Sequence, residues 1–224
     1  MKLYKFPPQA KVDRLIPKNK FYEQGKANTK IEQLFVDQVE NIRWVYKLAS
    51  STIHLQEQED LKEIQIFRVK SRVEELDVSI LSFIDKLILT PIIFEVVYQD
   101  KVKVIATYKR LNQSDKTKAV IGYYYASDWL DDVGRVELPL YLNLVDLYEH
   151  FIEQLLPIPQ VDGVFVKDNQ TIQEKLHLAE QLESLEKQIA QLKSKMKRDQ
   201  QFNRKVLLNQ KIIDLEKKLK DCQE

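Results

Sequence analysis

From Thr171 to Gln223 apolar residues recur three and four apart, with no proline or glycine between them. Leu178, Leu182, Leu185, Ile189, Leu192 and Met196 alternate in steps of four and three, which puts them on one narrow helical stripe, the seam of a coiled coil. The next seam positions are Asp199 and Asn203, and a second stripe, Leu208, Ile212, Leu215, Leu219 and Cys222, starts two residues out of phase. A shift of two is neither of the insertions that a continuous coiled coil absorbs by local over- or underwinding. The spacing therefore predicts a helical hairpin that turns near residues 198–203, in preference to one long coiled coil. Both stripes need burial. Two arms of this length bury little apolar surface alone, so docking onto a second chain is expected through Leu178, Leu182, Leu185, Ile189, Leu192, Met196, Leu208, Ile212, Leu215 and Leu219. A seam that closes on itself and does nothing more is the plainer alternative.

Upstream the periods change. Pro7, Pro8 and Pro17 read as helix-blocking, so the stretch from Lys11 to Glu23 is expected to be extended and irregular. Thr29 with Glu32 three residues on has the form of a capping box, and Ile31, Leu34, Phe35, Val39, Ile42 and Val45 trace one face, predicting a helix from Thr29 to about Leu48. Ile64–Val69 predicts a strand. Val78–Leu89 predicts a helix that Thr90-Pro91 stops. Ile92–Tyr98, Val102–Tyr108 and Ala119–Tyr125 then read as an antiparallel meander, with a short strand at Val136–Leu138. Asn143 caps a helix over Leu144–Leu156. The order is that of an α+β protein: one mixed, mostly antiparallel sheet with helices packed on it, followed by the C-terminal helical hairpin or coiled coil. The expected divisions are a basic N-terminal arm over residues 1–28, a globular domain over 29–160, a linker over 161–170, and the arms over 171–224.

Composition narrows the class. With 224 residues, 44% of them hydrophobic and 31% charged, the chain has enough for one sizeable core and an appendage. No run approaches the ~20 apolar residues of a membrane span, and the N-terminus lacks the apolar core of a signal peptide. The single cysteine, Cys222, makes no intrachain disulfide, so a soluble cytoplasmic protein is expected. Only four glycines are present, with neither GxGxxG nor GxxxxGK[ST], so phosphate-cradling nucleotide loops are not expected, and no cofactor is.

The net charge of +1 hides an uneven distribution. Residues 1–30 carry eight basic side chains against Asp13 and Glu23, and Lys193, Lys195, Lys197, Arg198, Arg204 and Lys205 gather at the break between the arms. Lysines beside aromatics suit nucleic acid, since the cation neutralises phosphate while the ring stacks. The candidates are Lys18, Lys20 and Tyr22, joined by Lys47, Lys109 and Arg110. A strap held by Ile16 and Phe21, its lysines in water, is the competing reading.

Ile16-Pro17-Lys18-Asn19-Lys20-Phe21-Tyr22-Glu23, Val45-Tyr46-Lys47-Leu48, Thr52-Ile53, Glu63-Ile64-Gln65-Ile66-Phe67, Ile84-Asp85-Lys86, Pro91-Ile92-Ile93-Phe94 and Tyr123-Tyr124 occur in an order that resembles the bacterial domain-of-unknown-function family 4391. Gln201-Phe202-Asn203-Arg204-Lys205-Val206 is similar to its tail. The resemblance implies no settled activity and no catalytic residue. It implies companions: helicases and DNA methyltransferases in phage-defence or restriction-type gene clusters.

The residues make only a thin case for catalysis. A metal-dependent nuclease needs two acids and a lysine two residues past the second. Asp85 and Glu95 are the candidate acids, yet Val96 and Val97 follow Glu95, and Glu63 is followed by Ile64 and Gln65. His54, His150 and His177 have no nucleophile motif nearby, and one cysteine with scattered histidines does not suit zinc. The expected function is thus a non-catalytic accessory or adaptor subunit of a defence or restriction-type complex. Its expected partner is a helicase, a methyltransferase or a second copy, with DNA contact an open question. A divergent DNA nuclease is the alternative.

Overall fold

The structure is a computed structural model; it describes residues 1–158, 160–161, 164–165 and 170–223. The chain divides into one compact unit over Met1–Leu155 and a second over Leu156–Glu224.

The first unit runs β1 (Tyr4–Lys5), a 3₁₀ turn at Pro8–Ala10, β2 (Lys11–Ile16), α1 (Lys18–Gly25), α2 (Thr29–Gln38), β3 (Val39–Ala49), the single turn α3 (Ser50–Ile53) and β4 (Glu63–Ser71). It continues through α4 (Val78–Leu87), β5 (Ile92–Tyr98), β6 (Lys101–Leu111), β7 (Ala119–Ala126), β8 (Leu130–Asp131), β9 (Val136–Glu137) and α5 (Leu144–Glu153). The main sheet has seven strands in the order β2-β3-β4-β5-β6-β7, with β8 alongside β6. Its neighbours are antiparallel except β4 and β5, which are parallel and need the α4 crossover between them. The mixed, mostly antiparallel α+β architecture expected from the sequence is what forms.

Strand alternation gives the sheet two faces. One carries Ile42, Phe67, Val69, Ile92, Phe94, Val96 and Ile105, packed with Phe21 of α1, Phe35 of α2 and Ile80, Leu81 and Ile84 of α4. The opposite residues, Ile64, Ile66, Ile93, Val104 and Ala106, are buried with Leu144, Leu147, Phe151 and Ile152 of α5, which touches β4 and β6. Each such side chain contributes roughly 1.5–3 kcal/mol on leaving water, so a sheet covered on both faces is a large core for this length.

Three expectations are corrected. The helix begun at Thr29 ends at Gln38, and Val39–Ala49 is an eleven-residue strand. Ile42, Trp44, Tyr46 and Leu48 alternate at period two, and β3 has ladder partners on both sides, β2 and β4. Those two ladders hold β3 extended where a local helix was expected. Asn28, rather than Thr29, caps α2, its Oδ1 accepting from the Ile31 N–H at 2.9 Å. Residues 1–28 are no arm: β2 is an edge strand of the sheet, and Lys18–Gly25 is helical with Pro17 at its N-cap, where a missing N–H costs nothing.

In the second unit, β10 (Gln160–Val161) pairs antiparallel with β11 (Val164–Phe165); the rest of the expected 161–170 linker lies largely outside the described residues. α6 (Ile172–Arg198) starts at a capping box, the Thr171 N–H donating to Glu174 Oε2 at 2.8 Å. It stops at Asp199, whose Oδ1 accepts from the Gln201 N–H at 2.9 Å, and α7 (Phe202–Gln223) returns alongside it. Lys193 Nζ and Glu216 Oε1 bridge the two helices at 2.7 Å. The pair is a hairpin with its turn where the stripes lose phase.

Candidate binding surfaces

Two groups of ionisable residues are drawn into the first unit, one on each face of the sheet. On the α4 face, Lys109 of β6 and Asp85 of α4 have side chains 1% and 0% exposed, with Nζ 2.6 Å from Oδ1. Lys109 Nζ also donates to the carbonyls of Ile88 (2.7 Å) and Thr90 (2.9 Å), which uses all three ammonium protons. Asp85 Oδ2 accepts from the Tyr124 hydroxyl at 2.6 Å. Burial pushes Asp85 up and Lys109 down from their ordinary values, each held back by the other's charge. The ammonium ties the end of α4 and the following Ile88–Thr90 turn to the sheet. Lys109, expected to meet nucleic acid, is therefore corrected: no phosphate reaches an ammonium sealed inside the core.

On the α5 face, Arg43 of β3 and Arg68 of β4 stand directly opposite each other, and Glu95 of β5 is the next residue across. Glu95 is 6% exposed and receives a two-pronged contact from Arg135, Nη1 to Oε1 at 2.7 Å and Nη2 to Oε2 at 2.9 Å. Arg135 also donates to the Tyr4 carbonyl and to Asp132. Burial alone would lower the Arg135 pKa, but Glu95 and Asp132 raise it above its ordinary value. Burial would raise Asp132, yet hydrogen bonds from Arg135 and Arg68 hold it below the usual carboxylate range. Arg68 donates from Nη2 to Asp132, while its Nη1 lies 3.7 Å from Glu95. Asp13, at a register break in β2, is a non-glycine residue at φ 52°. Its carboxylate and carbonyl both accept from Arg43 Nη1, at 2.8 and 3.3 Å. Asp13, Arg43, Arg68, Glu95 and Arg135, with Lys5, Lys11, Tyr4, Phe6 and Tyr46, line a pocket of about 310 Å³.

Asp85 and Glu95 thus lie on opposite faces of the sheet, each tied to its own cation, and are not placed to share one metal ion. Among the described residues no three His, Cys, Asp or Glu side chains come together as a metal site. His54 is exposed, His150 sits half-buried with Nε2 2.7 Å from Tyr4 Oη, and His177 lies on α6, so the three are dispersed.

The other residues proposed for nucleic acid do not converge. Lys18 donates to the carbonyls of Phe35 (3.1 Å) and Val39 (2.8 Å), closing the end of α2. Burial, with Arg72 nearby, lowers its pKa. Tyr22 packs edge-on against Phe35, with ring centroids 5.4 Å apart. Lys20 is exposed beside Trp44. Lys47 lies 3.7 Å from Glu63, and Arg110 is exposed on β6. Two strands, β4 and β5, separate Lys47 from Arg110, roughly 14 Å at ordinary strand spacing. Arg43, Arg68 and Arg135 went unnoticed in the sequence, because each is an ordinary polar residue until strand register sets it beside the others. The one legible trace was an arginine alternating with apolar neighbours in each of two strands.

In the second unit Leu182, Ile189, Leu208 and Ile212 are buried, and Leu178, Leu185, Leu192, Met196, Leu215, Leu219 and Cys222 are half-buried. Both stripes are thus covered to a large extent within the single chain. What α7 leaves outside is a different set: Phe202, Val206, Leu207 and Ile213, exposed by 78, 52, 65 and 49%.

A family model described as Domain of unknown function (DUF4391) matches residues 5–219. No curated protein and no solved structure matches the chain.

Proposed function

We propose that this chain, which belongs to the family described as Domain of unknown function (DUF4391), is a non-catalytic adaptor subunit of a bacterial defence or restriction-type complex. It docks through its C-terminal hairpin onto a helicase or methyltransferase, the companion class that the family resemblance implies, in the cytoplasm. The observation that carries this is the second apolar face of α7. At 100° per residue, Phe202, Val206 and Ile213 fall on one stripe roughly 140° around the helix from the Leu208–Cys222 seam. A helix needs one apolar face to close a hairpin, and a second, exposed one suits a partner's groove. Arg204, Lys205, Lys217 and Lys220 are exposed along the same helix, so the groove it fits is apolar with an acidic rim.

The test is to purify the tagged protein from a host expressing its neighbouring genes. Co-elution of a helicase or methyltransferase in constant ratio is expected, lost in Val206→Glu/Ile213→Glu while the circular dichroism spectrum is unchanged. Replacing Leu185 or Ile189 would not serve, since those side chains close the hairpin itself. Co-elution unaffected by the double replacement, or no such partner, overturns the reading. A homodimer by light scattering that the same replacement dissociates would assign the face to a second copy instead.

A further inference from the structure

We propose that the arginine pocket on the α5 face is a phosphate-binding site. Its ligand is a phosphate group, free or carried on a nucleotide, and the assignment is independent of whether α7 docks. The first argument is cost. Two arginines placed directly opposite on neighbouring strands repel, and sheets ordinarily avoid like charges in that position. Here the pair Arg43 and Arg68 is not only tolerated but supported from three sides. Glu95, almost wholly buried, anchors Arg135 beside them; Asp132 holds Arg68; and Asp13 holds Arg43 from a left-handed backbone that a non-glycine residue adopts only at a cost. Backbone strain spent on orienting one guanidinium is a mark of a site built for something other than stability.

The second argument is unspent donors. All five N–H groups of Arg135 are engaged with Glu95, Asp132 and the Tyr4 carbonyl. By contrast, among the described residues the hydrogen bonds of Arg68 use only Nη2, and those of Arg43 only Nη1. On Arg43 the free groups are Nε and Nη2, the edge of a guanidinium that grips an oxyanion with two parallel bonds, whereas Arg68, with Nη2 on Asp132 and Nη1 3.7 Å from Glu95, keeps Nε for a single further bond. The side chains are 42% and 32% exposed, open enough to be reached. Five cations line the pocket, Lys5, Lys11, Arg43, Arg68 and Arg135, and four carboxylates pair with them, Asp13 and Glu95 in the lining and Asp132 and Glu137 beside it, which leaves one positive charge in excess. That excess favours an anion, and a phosphate has oxygens enough to take the Arg43 edge and the Arg68 Nε together. Tyr46 and Phe6, ring centroids 4.9 Å apart, form an aromatic wall on which a base attached to that phosphate would rest.

The test uses the full chain. Inorganic phosphate, then adenosine monophosphate, are titrated at constant ionic strength and followed by backbone amide NMR shifts. Saturable shifts are expected at Asp13, Arg43, Tyr46 and Arg68, with the nucleotide binding more tightly than phosphate if the aromatic wall takes the base. Arg43→Gln should weaken phosphate about tenfold or more, as the loss of charge-assisted bonds requires. Because Arg68→Gln takes from Asp132 one of the two cations that hold it and disturbs the pocket's own ion pairs, Lys11→Gln at the rim is the second variant, expected to weaken binding severalfold with the spectrum otherwise native. Absence of saturable shifts in the unaltered protein, or equal affinity in Arg43→Gln, overturns the proposal. Equal binding of phosphate and adenosine monophosphate keeps the phosphate site and removes the base.

Discussion

Replacing Lys109 by Met would test whether the buried ion pair holds α4 to the sheet. The substitution keeps the length and apolar stem of the side chain and removes only the ammonium. Asp85, whose side chain is fully buried, would keep one partner, the Tyr124 hydroxyl at 2.6 Å, and the carbonyls of Ile88 and Thr90 would lose their donor. Removing one member of a buried pair strands the other, at about 3–5 kcal/mol, a large share of the roughly 5–15 kcal/mol available to a domain. With a urea slope of about 2 kcal/mol/M the midpoint falls by about 2 M at neutral pH, the slope itself unchanged. Lys109→Met/Asp85→Asn removes the stranded charge and should recover part of the loss, so the double-mutant cycle shows coupling in place of additivity. The pH dependence has a definite sign. Asp85 is raised above its ordinary 3.8 by burial, with Lys109 the chief influence against it. In Lys109→Met that opposition is gone and the folded-state pKa rises further. Folded Asp85 then keeps a proton that the unfolded chain has released, and stability drops as pH rises from 3.8 through the folded value. The variant should therefore regain ground relative to the native protein on acidification. A loss under about 1 kcal/mol at neutral pH, additive double replacement, or a variant that falls further behind in acid would refute the reasoning.

Gly25→Ala should destabilise the first unit, because a Cβ there would stand 2.2 Å from Phe83 Cζ. Overpacking of this kind costs about 1–3 kcal/mol, partly offset by up to ~1 kcal/mol of helix propensity; an unchanged urea midpoint would show that the Phe83 ring swings aside freely. His150, beside Tyr4 and Tyr141, is lowered from 6.5 by burial, so the unfolded chain binds a proton that the folded one refuses. Its contribution is complete above pH 6.5 and is lost as pH falls through that value towards the folded one, and His150→Gln should flatten the difference in stability between pH 7.5 and 5.5; an identical difference in both proteins would argue against it.

The sequence by itself determined what repeats locally. The loss of phase between Met196 and Leu208 set the hairpin turn, Asn143 and Pro91 bounded helix and strand, and Ile92–Tyr98 read as a strand over the residues where it forms. Each of these signals lies within a few residues of the feature that it specifies, where periodicity and capping act. β3 was not legible for the opposite reason. Ile42 satisfies a helical stripe from Ile31 and a period-two row to Leu48 equally well, and the choice falls to β2 and β4, whose ladders satisfy its backbone from both sides. Side-chain roles followed the same division. Lys109 and Arg110 are adjacent and equally basic in sequence, yet alternation sends the first into the core against Asp85 and leaves the second in water. Arg43, Arg68 and Glu95 are dozens of residues apart along the chain, and only register across three strands makes them neighbours. Charge is written in the sequence one residue at a time, whereas a pocket is a property of pairing between distant segments, which is decided when the sheet forms and not before.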